Sequence, residues 1–157
     1  MTPIDRRSAL TSIAAAFAMP QAARALDRDP TLKPPSVLFV EALAALSNGR
    51  EITHSRVTID LPRLAENGNS ITLKVTVDSP MTAADHVKTI TLLSEQNPIA
   101  VIGRFHLQPR AGRAFVSTSI RLATTQNVHA IAEMSDGTLW SDAAQSVVLI
   151  AACIDGG

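Results

Sequence analysis

Apolar and polar residues alternate one by one along much of this chain. Between Ile71 and Val77, Ile, Leu and Val occupy every second position, with Thr and Lys in the positions between them. Residues 57–61 repeat the pattern, with Val, Ile and Leu separated by Thr and Asp. A period of two places successive side chains on opposite faces of a strand. Both segments are therefore predicted to be strands with one face on a core and the other in water.

Five more segments have strand-like composition and are separated by turn residues. They cover 87–91, 100–107, 114–123, 128–134 and 146–150. Asn67-Gly68 and Asp136-Gly137 are among the separating pairs, and both favour tight turns. About seven short strands at this spacing predict an all-β fold, an antiparallel β-sandwich.

One helix is predicted in front of the strands. Ser36 can cap it, apolar residues follow at helical spacing up to Leu46, and Asn48-Gly49 can end it. The preceding residues, 26–35, contain three prolines and are predicted to be an extended leader. The folded domain is accordingly expected to cover 36–150.

The first 25 residues have the pattern of an export signal. Arg6 and Arg7 precede an apolar stretch, and a small-x-small sequence ends at Ala25. Paired arginines are typical of the twin-arginine route, which exports folded proteins, so a periplasmic location is expected. The apolar stretch of about 11 residues is shorter than the roughly 20 that a membrane-spanning helix needs. No membrane association is therefore predicted.

Composition argues against several functional classes. The formal charge is zero and aromatic residues make up 3% of the chain, so neither a basic patch nor a base-stacking surface for nucleic acid is expected. The four histidines, His54, His86, His106 and His129, lack metal-type spacing, and three are expected on strands or their ends. No glycine-rich phosphate loop is present. The sequence predicts no metal and no cofactor, and it does not indicate an enzyme.

The single cysteine, Cys153, lies near the C-terminus. A lone cysteine in an exported chain cannot form an intramolecular disulfide. Three alternatives remain: a buried continuation of the last strand, a disulfide with another chain, or a chemically active thiol on a terminal arm, residues 151–157.

From Val57 onward the chain resembles the sulfur carrier subunit SoxY of the bacterial thiosulfate-oxidising system. About 100 residues match, in the family's order. The matching stretches are Ala65-Glu66-Asn67-Gly68, Val77-Asp78-Ser79-Pro80-Met81, Glu95-Gln96-Asn97-Pro98, Val116-Ser117-Thr118-Ser119-Ile120-Arg121-Leu122-Ala123, Thr125-Gln126-Asn127-Val128-His129-Ala130 and Met134-Ser135-Asp136-Gly137.

The resemblance implies an immunoglobulin-like sandwich with one short N-terminal helix and a mobile C-terminal arm. It also implies a periplasmic carrier, not an enzyme, that holds thiosulfate-derived sulfur covalently on Cys153. Ala151, Ala152, Gly156 and Gly157 would give the arm its flexibility. The implied partners are a SoxZ-like subunit forming a heterodimer, a c-type cytochrome loading complex and a sulfate-releasing hydrolase.

The tail departs from the family's Gly-Gly-Cys-Gly-Gly ending. Ala151 and Ala152 replace two glycines, and Ile154-Asp155 are inserted before the final pair. Asp155 adds a negative charge that disfavours both a thiolate and an anionic adduct. The alternative hypothesis is therefore a divergent SoxY-like paralogue, whose thiol carries another cargo or forms mixed disulfides.

Overall fold

A computed structural model describes residues 32–151 of the chain. The predicted export signal, with Arg6 and Arg7, lies outside the described residues, as does most of the leader. The same holds for Ala152, Cys153, Gly156 and Gly157 of the predicted arm. Ala151 is described and is exposed.

The described chain consists of one helix, one 3₁₀ turn and nine strands. Helix α1 covers Val37–Ser47, and the 3₁₀ turn covers Pro109–Ala111. The strands are β1 Ile52–His54, β2 Val57–Asp60, β3 Leu64–Asn67, β4 Ile71–Val77, β5 Val87–Ser94, β6 Val101–His106, β7 Phe115–Ile120, β8 Gln126–Met134 and β9 Leu139–Ile150.

The strands form two sheets. The larger sheet has the order β1-β9-β8-β5-β6, and β3 also pairs with β9; the smaller sheet has the order β2-β4-β7. Side chains from both sheets form one continuous core, which includes Leu73 and Val75 of β4 and Ile90 and Leu92 of β5. The predicted β-sandwich is confirmed.

The two-residue period of the sequence positions this core. In β4, the side chains of Ile71, Leu73, Val75 and Val77 are buried, and the residues between them are exposed or half-buried. Burial of an aliphatic side chain of this size contributes about 1.5–3 kcal/mol, so the alternation fixes which face turns inward.

Helix α1 begins and ends where the sequence predicts. The Ser36 hydroxyl oxygen accepts a hydrogen bond from the Phe39 amide at 3.2 Å. Asn48 adopts a left-handed conformation, with φ 47°, and its amide donates to the Ala44 carbonyl. Phe39 and Leu43 turn toward the outer face of the larger sheet, where a second apolar cluster forms around Leu93 and Ile131. Helix α1 thus covers part of the outer face of the larger sheet.

The structure adds three features that the pattern did not predict. Strands β1 and β3 were not expected, and both pair with β9 in parallel. Strand β9 begins at Leu139 instead of Ser146. Residues 139–146 of β9 pair with β8, whereas residues 147–150 pair with β3. Within residues 32–151, no helix has the length and apolar character needed to cross a bilayer.

Candidate functional site

The chain leaves the sandwich through the end of β9, which is anchored by β3. Leu64, Ala65 and Asn67 of β3 are in register with Val147, Val148 and Ile150 of β9. The anchoring continues past the strand, because the Gly68 amide donates to the Ile150 carbonyl at 2.8 Å. Ala151 is the next residue, and Cys153 follows two positions later. The described part of the chain is therefore held up to the residue immediately before the predicted arm.

A buried amide network supports this end of the sandwich. The Asn97 side chain donates to the Arg121 carbonyl at 2.8 Å and accepts from the Ala123 amide at 3.0 Å. It also accepts from the Gln126 side chain at 2.9 Å, and Gln126 in turn accepts from the Gln96 amide at 2.8 Å. The network ties the turn after β5 to the loop between β7 and β8.

The same loop reaches the base of the tail. The Thr125 hydroxyl oxygen accepts a hydrogen bond from the Val148 amide at 3.0 Å, beside Gln126. Asn97 and Gln126 both belong to the motifs matched to the family. Their side chains act in this structure as a scaffold that positions the last strand.

Apolar side chains surround the base of the tail. We call Leu64, Val147 and Leu149 the tail-base surface, because they lie on one face of the pair formed by β3 and β9; their exposed fractions are 60%, 38% and 64%. Ile150 is 66% exposed and lies on the opposite face. Exposed apolar clusters of this kind are typical of protein contact sites.

A separate cavity lies between α1 and the outer face of the larger sheet, with a volume of about 470 Å³. Two hydrogen-bonded pairs lie in its wall. Nε2 of His129 is 2.9 Å from the buried carboxyl group of Glu95, and Nδ1 of His54 is 3.1 Å from the Ser141 hydroxyl. Phe39 covers His129, with ring centroids 4.8 Å apart. Sequence reasoning missed this cavity.

The histidines fit their predicted surface or hydrogen-bonded role. His54, His106 and His129 lie on strands, as expected, and Nδ1 of His106 lies 3.1 Å from the Thr89 hydroxyl. Nδ1 of His86 lies 3.1 Å from the Thr82 carbonyl. In the described part of the chain, no group of three or more His, Cys, Asp or Glu side chains could hold a metal ion.

The carboxyl group of Asp136 has a pKa below its ordinary value. Asp136 lies in the turn between β8 and β9, where it accepts hydrogen bonds from the backbone amide and the hydroxyl of Thr138. These bonds favour the ionised form and lower the pKa of Asp136. The two hydrogen bonds stabilise the turn, and Asp136 lies in neither candidate site.

Several solved structures have a fold similar to that of this chain. The sulfur carrier protein SoxY from Chlorobium limicola f thiosulfatophilum is 25% identical, with a TM-score of 0.59, over 71% of this chain and 96% of that one. Superoxide reductase (neelaredoxin) from Ignicoccus hospitalis is 21% identical, with a TM-score of 0.53, over 60% and 80%. Superoxide reductase from Nanoarchaeum equitans is 14% identical, with a TM-score of 0.51, over 60% and 99%. At this identity the two reductases share the fold alone. No curated protein matches the chain significantly.

The fold and the anchored last strand define a small β-sandwich domain whose last strand is held by β3 up to Ile150. The family model for sulfur oxidation protein SoxY matches residues 43–153. This chain belongs to the SoxY family.

Proposed function

We propose that this protein is a periplasmic sulfur carrier that holds thiosulfate-derived sulfur on Cys153 while partner enzymes process it. The observation that supports the proposal is that the anchored part of β9 ends just before the cysteine at which the family match ends. The match extends to Cys153, and β3 anchors the chain up to Ile150, three residues earlier. A rigid base with a short terminal segment suits a carrier, which must present its cargo to several enzymes in turn.

The carrier chemistry requires a thiolate and an external oxidant. The Sγ of Cys153 would form a bond to the outer sulfur of thiosulfate. The thiol proton goes to solvent, and two electrons pass to a c-type cytochrome partner. Water then cleaves the sulfonate group from the adduct, releasing sulfate and leaving a persulfide on Cys153. Both steps occur in partner proteins, so the chain itself is proposed not to be an enzyme.

The test is the intact mass of the protein purified from cells supplied with thiosulfate. The wild type should carry a sulfur adduct, and Cys153→Ser should carry none, because the chain has one cysteine. Ser146→Cys is a useful second variant when combined with Cys153→Ser. Residue 146 is buried in β9, so a thiol there should stay unloaded. Sulfur oxidation that persists in cells relying on Cys153→Ser would contradict the proposal.

The altered tail supports a second candidate, a divergent SoxY-like carrier whose thiol takes another cargo or forms mixed disulfides. Ile154 is bulky beside the thiol, and Asp155 would repel an anionic adduct. Deletion of Ile154 and Asp155 restores the Cys-Gly-Gly ending and separates the two candidates. Faster loading with thiosulfate in this variant would show that the insertion only slows the usual reaction. Adducts that form on other substrates but never with thiosulfate would favour the second candidate.

We also propose that the chain is exported by the twin-arginine route, with Arg6 and Arg7 in the signal, and forms a heterodimer with a SoxZ-like subunit. Exposed apolar residues and open sheet edges support a partner, because both are costly to leave in water. Arg6→Lys combined with Arg7→Lys should retain the precursor in the cytoplasm. If the chain alone runs as a soluble monomer in gel filtration, this result would count against an obligate partner subunit.

A further inference from the structure

Strand β9 continues beyond the end of its pairing with β8. Strand β8 begins at Gln126, which is in register with Ser146, whereas β9 runs on to Ile150. Beyond Ser146, β3 pairs with β9 on one side, and the side along which β8 runs is without a strand in the described residues. Because successive amides of a strand point to opposite sides, an amide on the β8 side of residues 147–150 needs a partner that is not a strand.

Val148 is the residue whose amide has such a partner. This amide donates to the Thr125 hydroxyl at 3.0 Å, whereas the preceding amide, that of Val147, donates to the Arg63 carbonyl at 2.7 Å on the β3 side. The Val148 side chain is half-buried and packs against the main core, while the next two residues of β9 are exposed. Val148 is therefore the last residue of β9 whose side chain is packed in the sandwich, and Thr125 holds its backbone.

The loop that carries Thr125 is itself fixed to the sandwich. The Ala123 amide donates to the Asn97 side chain at 3.0 Å, and the Thr124 carbonyl accepts from the Gln126 side chain at 3.2 Å. These bonds lie on both sides of Thr125 in the sequence. A hydroxyl on a fixed loop holds the strand that is bonded to it, whereas a hydroxyl on a loose loop would move with the strand.

The bond from Thr125 affects how far Cys153 can lie from the sandwich. The other bonds described for residues 147–150 run from backbone to backbone, so the Thr125 hydroxyl is the partner that a substitution can remove. Cys153 follows Ile150 by three residues, which span at most about 10 Å. If β9 came loose from Val148 onward, the segment up to Cys153 would have six residues and could span about 20 Å.

We propose that Thr125 is a positioning residue for Cys153: its hydroxyl fixes β9 at Val148 and so limits the distance over which the thiol can be presented. The consequence for loading rests on the proposed carrier function. In a docked complex the thiol reacts as a tethered group, and its effective concentration falls with about the −3/2 power of tether length once the tether exceeds the span. A tether that doubles in length therefore predicts loading that is about threefold slower.

Amide hydrogen exchange, followed by NMR on the full chain, measures the hold on β9. Thr125→Val removes the hydroxyl with little change in shape, so the Val148 amide should exchange about fivefold faster or more. Thr125→Ser keeps a hydroxyl and should restore the slow exchange. The matched control is Thr124→Val, on the same loop and also half-buried. Thr124 is bonded to Gln126 through its carbonyl, so this change should leave the Val148 amide unaffected.

Two further measurements follow the thiol itself. Cys153 is the single cysteine, so a nitroxide can be attached to it alone; in Thr125→Val its broadening of amide signals should weaken at Gly68 and appear at amides that are unaffected in the wild type. For loading, each variant is added at increasing concentration to a periplasmic extract of cells that lack this chain, with thiosulfate, and the adduct is followed by intact mass. In Thr125→Val, kcat should fall about threefold with KM unchanged, and Thr125→Ser should restore kcat. A smaller folded fraction would instead raise KM.

Three results would each overturn the role of Thr125. These are unchanged exchange of the Val148 amide in Thr125→Val, a nitroxide pattern identical to that of the wild type, or a KM that rises while kcat stays constant. If Thr125→Val does not fold, Thr125→Ala removes the same hydroxyl and makes the same test. If the exchange and nitroxide patterns change as expected but the wild type gains no adduct, the carrier function fails and the positioning of Cys153 by Thr125 stands.

Discussion

Replacing Asn97 with alanine should destabilise the domain more than the loss of so few side-chain atoms suggests. Asn97 is 8% exposed, and its side chain makes hydrogen bonds to the Arg121 carbonyl, the Ala123 amide and the Gln126 side chain. A buried hydrogen bond contributes about 1 kcal/mol net, and an unsatisfied buried partner costs about 1–3 kcal/mol. Asn97→Ala should therefore lower the free energy of unfolding by about 3 kcal/mol or more.

Urea unfolding followed by circular dichroism measures this change, and thermal unfolding should show Tm lower by about 10 °C. Asn67→Ala is the matched control. The Asn67 side chain makes an exposed bond to the Asn69 amide, so its loss should cost under about 1 kcal/mol. A loss below about 1 kcal/mol for Asn97→Ala would refute the reasoning, because water would then replace the amide at little cost.

A double-mutant cycle tests whether Asn97 and Gln126 act together. Each single change to alanine leaves the other amide without the 2.9 Å bond that joins them. The double variant should therefore be less destabilised than the sum of the two single variants, with a coupling energy of about 1 kcal/mol or more. Strict additivity would mean that the two amides are independent.

Three other changes test the core and the turn between β8 and β9. Leu92→Ala, at a fully buried site, should cost about 2–5 kcal/mol in urea unfolding, whereas Leu64→Ala, at a 60% exposed site, should cost under about 0.5 kcal/mol. Gly137 has φ 85°, so Gly137→Ala should lower Tm through about 1–2 kcal/mol of backbone strain, even though a Cβ there would meet open space. Because the folded-state pKa of Asp136 is lowered, the stability from its hydrogen bonds is present above the unfolded pKa and lost as pH falls through the folded one. Below about pH 4, wild type should therefore lose more stability than Asp136→Asn, and parallel acid titrations of Tm would contradict this.

The sequence predicts the sandwich well where burial is one-sided. The strand at 71–77 was identified because each apolar residue faces the core and the residues between them are exposed or half-buried. Strand β1 was missed because three residues are too few for a period of two to show. Strand β3 was missed because Leu64-Ala65-Glu66-Asn67 does not alternate and ends in residues that are typical of a turn. The start of β9 was missed for another reason. On the face that lies partly under α1, residues 139, 141, 143 and 145 are Leu, Ser, Ala and Gln, a mixture that shows no apolar period.

Sequence reasoning pointed to one of the two candidate sites and missed the other. Cys153 was singled out directly, because a single cysteine in a chain that is expected to be exported needs an explanation; its role remains a prediction. The cavity between α1 and the larger sheet could not be found this way. His54, Glu95, His129 and Ser141 come from separate segments, and only strand pairing brings them to one face. The useful signal in the sequence was the row of polar residues at alternate positions of β8, Asn127 and His129.

The pairing of β9 determines how the domain would respond to a pull on its C-terminal end. Hydrogen bonds between strands lie across the strand direction, so tension applied at Ala151 along β9 acts on its bonds to β8, β1 and β3 in shear. Bonds loaded in shear resist together, whereas bonds at a peeled edge break one at a time. A partner that grips the tail and then withdraws would therefore pull on the whole sheet, and the carrier would detach intact.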